Sequence, residues 1–109
     1  MKIAVIGSRN VFVENLKDYL PADTTEIVSG GAKGVDQCAK EYAKSNNIKI
    51  TEFLPEYERF KKFAPLKRNK EIVNYADEVL AFWDGKSKGT KYVIDLCHKT
   101  NKKITVILR

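Results

Sequence analysis

The stretch IVSGGAKGVD, Ile27 to Asp36, decides the fold. An apolar run ends in Ser29, and Gly30, Gly31 and Gly34 follow within five positions. Val35 then opens a series with Cys38, Ala39, Tyr42 and Ala43, the i, i+3, i+4, i+7, i+8 spacing of one helix face. A buried strand therefore passes through a glycine-rich turn into a helix. Glycine costs backbone entropy, so such a cluster marks a tight turn or a close approach of the backbone to a ligand.

The same punctuation recurs on both sides. KIAVIG (Lys2–Gly7) is a short apolar run closed by glycine, as a fully buried strand should be. In VFVENLKDYL (Val11–Leu20) the spacing of Phe12, Val13, Leu16 and Leu20 predicts a helix, with Pro21 just beyond. TTEIVSG (Thr24–Gly30) is the second strand, and IKITEFL (Ile48–Leu54), half alternating, is a third that lies nearer an edge. PEYERFKKFAPLKRNK (Pro55–Lys70) reads as a loop entering a short helix at about Pro65, which buries Ile72, Val73 and Ala76. DEVLAFWDG, TKYVIDLCHKT and KKITVILR supply the fourth strand, the fourth helix and the last strand.

Strands alternating with helices predict an α/β fold, a single Rossmann-like three-layer sandwich spanning residues 1–109. Right-handed crossovers allow a five-stranded parallel sheet in the order 3-2-1-4-5. Winding reverses between the first and fourth strands, and ligands of open α/β sheets bind in the crevice that opens there. Three turns meet on that rim: Gly7, Ser8 and Arg9; Ser29 to Gly34, including Lys33; and Trp83 to Thr90, including Asp84, Gly85, Ser87 and Gly89. Two of them run into helix N-termini, whose free N–H groups and dipole favour an anion. Neither glycine stretch has the spacing of a Walker A loop or a full dinucleotide fingerprint. Trp83 either offers a ring to a base or packs as a partly buried tryptophan. Arg68, followed by Asn69, either grips phosphate or carboxylate or is a solvated helix arginine.

Composition is that of a soluble globular domain, 43% hydrophobic and 31% charged. No apolar run approaches the roughly 20 residues of a membrane span, and MKIAVIG is too short for a signal peptide. The expectation is a cytoplasmic protein with no membrane partner. Cys38 and Cys97 lack any metal-ligand or CxxC spacing and are expected to be buried thiols. His98, the only histidine, belongs to a surface or C-terminal turn, so no metal and no cofactor is called for. The formal charge of +6 comes from scattered lysine and arginine pairs rather than one basic tract. It describes a solvated basic surface or a field for an anionic small ligand, with nucleic acid ranking third.

With GSR at Gly7–Arg9, SGGAKGVD at Ser29–Asp36, RN at Arg68–Asn69 and AFWDGKSKGT at Ala81–Thr90, the chain resembles the SLOG superfamily over essentially its whole length. The nearest branch is the small single-domain one called DUF2493 or YspA-like. The resemblance implies binding of a nucleotide or nucleotide-derived ligand. Gly30, Gly31, Gly34, Gly89 and Thr90 would form the cradle, Arg9 and Arg68 its cationic partners, and Asp36 an order-giving or sugar-binding carboxylate. Some superfamily members are phosphoribohydrolases, others sense ADP-ribose-type signals, and DprA-like members bind single-stranded DNA. In the phosphoribohydrolase branch a catalytic glutamate stands where this chain has Val93, and an arginine-lysine pair reads Arg68-Asn69. Glycoside cleavage needs a carboxylate, so Asp36 and Asp84 are the substitutes to consider.

The expected function is therefore ligand binding, as sensor or sequestering domain. A nucleotide N-glycosidic hydrolase and a single-stranded DNA binder are the alternatives. Phe53, Tyr57, Phe60 and Phe63 put much aromatic surface on one irregular segment, as a lid over the site or a contact between two subunits of a homodimer.

Overall fold

The computed structural model describes residues 1–109. Five parallel strands form one sheet: β1 (Lys2–Gly7), β2 (Glu26–Ser29), β3 (Lys49–Glu52), β4 (Glu78–Trp83) and β5 (Ile104–Leu108). Their order is β3-β2-β1-β4-β5, as the alternation of strand and helix patterns predicts. β1 sits at the reversal, pairing Ile3 with Ile27 on one side and Glu78 on the other.

Burial follows position in the sheet. Ile3–Ile6 of β1, all of β2 and Val79–Phe82 of β4 are buried; β1 and β4 show the near-continuous apolar run of a strand covered on both faces, whereas β2 places Ile27 and Val28 between the buried polar residues Glu26 and Ser29. The edge strands β3 and β5 are only half buried. On one face α1 (Val35–Ser45) buries Val35, Ala39 and Ala43 against Ile3, Val5, Ile27 and Phe82. On the other, α3 (Ala64–Tyr75) and α4 (Lys88–Lys99) bury Ile72, Val73, Val93, Ile94 and Cys97 against Ala4, Ile6, Val28 and Val79.

Two local expectations change. Val11–Leu20 is not an α-helix; only a 3-10 turn forms, at Leu16–Tyr19. Val11 and Val13 both point inward while Phe12 between them is 69% exposed. That alternation belongs to extended chain, and it is suited to β-branched residues. Pro55–Phe63 is not a plain loop: α2 (Tyr57–Phe60) and a second 3-10 turn (Lys61–Phe63) lead into α3. The thiols also differ. Cys97 is fully buried, which pushes its pKa up to about 11, whereas Cys38 is half-buried and accepts a weak bond from the Val13 N–H at 3.4 Å. His98 is exposed in the last turn of α4. No helix is long and apolar enough to cross a membrane.

Candidate functional site

At the carboxyl ends of β1, β2 and β4 the three turns enclose a cleft of about 470 Å³. Its walls include Gly7, Ser8, Arg9, Gly30, Asp36, Arg68, Asn69, Asp84, Ser87, Gly89 and Thr90, and Ile6, Ile72 and Val93 add apolar surface. The volume is that of a small-molecule site, but the walls are more polar than usual for one.

The turn after β2 is shaped by close contacts. Gly34 holds φ +72°, and a Cβ there would strike the Arg9 carbonyl, so the β1 turn and the start of α1 pack backbone to backbone. At Gly30 a Cβ would lie 2.5 Å from Arg68 Nη1. The missing side chain makes room for the guanidinium, which donates to the Gly30 carbonyl at 2.6 Å. Arg68 Nε donates to Asn69 Oδ1 at 2.9 Å, which leaves the Asn69 amide nitrogen unengaged beside the cleft. Burial draws the Arg68 pKa down, opposed by the charge of Asp36. Its ordinary value is so high that it stays a cation.

Two carboxylates line the cleft, and their surroundings differ. Asp84 Oδ1 accepts the N–H groups of Ser87 and Lys86, both at 2.8 Å, and these bonds hold its pKa below the usual range. It is an ionised turn-former that shapes the approach to α4. Asp36 is 6% exposed and accepts the Ala32 N–H, at 3.0 Å, through Oδ2, with the Gly30 N–H also turned toward its carboxylate. Burial pushes its pKa up, against the Ala32 bond and the charge of Arg68.

The helix N-termini at the rim are not equivalent. α1 carries Asp36 in its first turn, so an acidic side chain already complements its dipole. α4 has no acidic residue in its first turn. Its N-cap Ser87 accepts the Thr90 N–H at 3.4 Å, and the Lys91 N–H donates to the Ser87 carbonyl at 3.1 Å. The N–H groups of Lys88 and Gly89 find no acceptor in the chain. Nothing lies within 4 Å of a Cβ built on Gly89, and its backbone is helical. Every other glycine is accounted for by the fold, Gly31, Gly34 and Gly85 by positive φ and Gly7 and Gly30 by close neighbours. Gly89 alone has no internal reason to be glycine. It lines the cleft.

Charge completes the picture. Ion pairs join Lys40 to Glu52, Lys49 to Glu26, Arg59 to Glu56, Lys91 to Asp95 and Lys103 to Glu78. Arg9 and Arg68 belong to none of them, and both face the cleft.

Several rim residues stand behind the cleft rather than in its walls. Ser29 is buried, its Oγ accepting the Gly31 N–H at 3.3 Å. Gly31, Gly34 and Gly85 provide turns, and Lys33 is exposed away from the lining. Trp83 packs beside the second core and donates from Nε1 to the Ser87 carbonyl at 3.0 Å, bracing the β4–α4 turn instead of presenting a ring to the cleft. Ile6, Asn10, Ala32, Pro65 and Ile72 do line it without having been singled out in the sequence. Of these, Pro65 marked a helix start close to Arg68, Ala32 lay inside the glycine-rich turn, and Ile72 was read only as core. No family model matches the chain, and no curated protein or solved structure matches it.

Proposed function

We propose that the cleft binds a nucleotide or nucleotide-derived small molecule through its phosphate, as the ligand site of a sensor or sequestering domain of SLOG type. The observation that carries this is the convergence of Arg9 and Arg68, neither of them in an ion pair, with the N-terminus of α4 at Gly89, whose first turn holds no acidic residue and leaves two N–H groups free. A phosphate there would accept from the free N–H groups of Lys88 and Gly89 and from the Thr90 hydroxyl. Arg68 and Arg9 would supply charge-assisted bonds, with one Arg68 nitrogen already anchored to Gly30. Asp36, also in the cleft wall, suits a sugar hydroxyl as its hydrogen-bond donor.

The test is a thermal-shift panel of AMP, GMP, ADP-ribose, NAD and cyclic nucleotides against the native chain and its Arg68→Ala and Gly89→Asp variants. A ligand at a hundredfold excess over its Kd adds about 2.7 kcal/mol of apparent stability. At least one compound is expected to raise Tm in the native chain and in neither variant. A panel without any shift would overturn the proposal.

A hydrolytic reading has one observation in its favour, the buried carboxyl of Asp36. A carboxyl with a raised pKa in a cleft has the protonation behaviour of a general acid or base. Against it stands Val93, 2% exposed, where the phosphoribohydrolase resemblance would need a carboxylate. Release of free base from a bound nucleotide, abolished by Asp36→Asn, would support hydrolysis. Turnover no faster than without protein would remove it.

A further inference from the structure

Three turns meet at the cleft, and the fold uses two of them for itself. The turn after β1 leads into no α-helix: the Val11 N–H closes back on the Ser8 carbonyl at 3.1 Å, and only the 3-10 turn at Leu16–Tyr19 follows. Its Gly7 packs inward, a Cβ there lying 2.5 Å from Val35 Cγ2. That turn brings the charge of Arg9 to the cleft but no helix N-terminus.

The turn after β2 does enter a helix, yet its donors are engaged. Ser29 Oγ holds the Gly31 N–H at 3.3 Å, and Asp36 Oδ2 holds the Ala32 N–H at 3.0 Å. The Arg68 guanidinium fills the space beside Gly30. From the start of α1 only Asp36 reaches the cleft wall; Gly34, Val35 and Gln37 do not line it. This end of α1 therefore shows a ligand a carboxylate, in the place an anion would take. A phosphate brought here must displace the Ala32 bond and stand against a charge of its own sign, and solvent screens that repulsion weakly because Asp36 is buried.

The turn after β4 is left open. Gly89 and Thr90 line the cleft, the Gly89 N–H has no acceptor, and the 12-residue α4 carries no acid in its first turn. A side chain adds to these donors. Asn69 is 9% exposed and lines the same cleft, and because Arg68 Nε holds its Oδ1 at 2.9 Å, its amide nitrogen is the group left without a partner.

We propose that Asp36 is the specificity-determining residue of the cleft: it limits the ligand to one seated phosphate by closing the turn after β2 to a second. This rests on the nucleotide-binding proposal above. β1 alone separates β2 from β4, so the strands that feed the two turns stand about 10 Å apart. A second phosphate extended from α4 toward β2 meets Asp36.

Titration calorimetry in magnesium-free buffer with AMP, ADP, GMP and GDP, on the full chain and its Asp36→Asn and Asp36→Ser variants, tests this. In the native chain each diphosphate is expected to bind no tighter than its monophosphate. In both variants the diphosphate should gain about tenfold over the monophosphate, the worth of one charge-assisted hydrogen bond. Taking the ratio within each variant cancels the loss of a sugar contact at Asp36, which both ligands share. A native chain that already binds diphosphates tenfold tighter would overturn the assignment and leave the nucleotide reading standing. Variants in which the ratio stays at its native value would do the same. If no nucleotide binds the native chain or either variant, the nucleotide-binding proposal falls and this one with it.

Discussion

A glycine in a helix gives up propensity worth up to about 1 kcal/mol relative to alanine, and in α4 no contact of Gly89 offsets that loss. An acidic residue in the same first turn would gain a further few tenths of a kcal/mol from the helix dipole. Gly89→Asp should therefore raise the Tm of the free protein while weakening any anionic ligand. Opposite signs in thermal unfolding and in titration would check it; a destabilised variant would mean that Gly89 serves the fold. Asp36 makes a second residue-scale prediction. Its folded pKa lies above the unfolded one, so the stability linked to its proton is fully present below the unfolded value near 4 and is lost as pH rises through the folded value. Asp36→Asn keeps an acceptor for the Ala32 N–H and removes the buried charge. It should be more stable than the native chain at pH 7, with the gap closing as pH falls toward 3. Denaturant unfolding at the two pH values measures it.

At the scale of elements, the sheet was legible because β1 and β4 carry apolar runs closed by Gly7 and by Asp84-Gly85, and because Ile27 and Val28 of β2 run into the glycine-rich turn. α1 and α4 were legible through the spacing of Val35, Ala39 and Ala43 and of Val93, Ile94 and Cys97. The 3-10 turn at Leu16–Tyr19 was not, because Phe12 and Val13 fit a helical spacing that tertiary burial of Val11 and Val13 overrides. Nor was α2, a single turn whose residues bury nothing and so leave no periodic trace. Lack of burial has a dynamic consequence: backbone amides of 57–63 should exchange with solvent faster than those of α1, α3 and α4. Hydrogen exchange read by mass spectrometry would show it, and equal protection across these elements would contradict it. The N-cap of α4 makes a further prediction. Ser87→Ala removes the acceptor of the Thr90 N–H and should cost about 1 kcal/mol in chemical unfolding.

Across the whole molecule, the rim was legible from topology alone, since winding order fixes which turns meet. Which residues of each turn face the cleft was not. Trp83 and Arg68 looked alike as rim candidates, and only packing sends the indole to Ser87 and the guanidinium to Gly30. That α1 carries an acidic residue, Asp36, in its first turn while α4 carries none becomes visible only once the helix bounds are fixed. Salt separates a small ligand from the nucleic-acid alternative. A polymer neutralising several phosphates loses affinity steeply, with a log–log slope of about −0.7 per contact for single strands, whereas a compound with one or two phosphates has a shallow slope. The most direct measurement of the central claim is a titration of the isotope-labelled chain with ADP-ribose and with AMP, followed by amide NMR. Shifts are expected to concentrate at Ser8, Arg9, Gly30, Asn69, Lys88, Gly89 and Thr90 and to spare the opposite end of the sheet at Glu26 and Lys49. Shifts spread over the exposed lysines, or none at the rim, would contradict it.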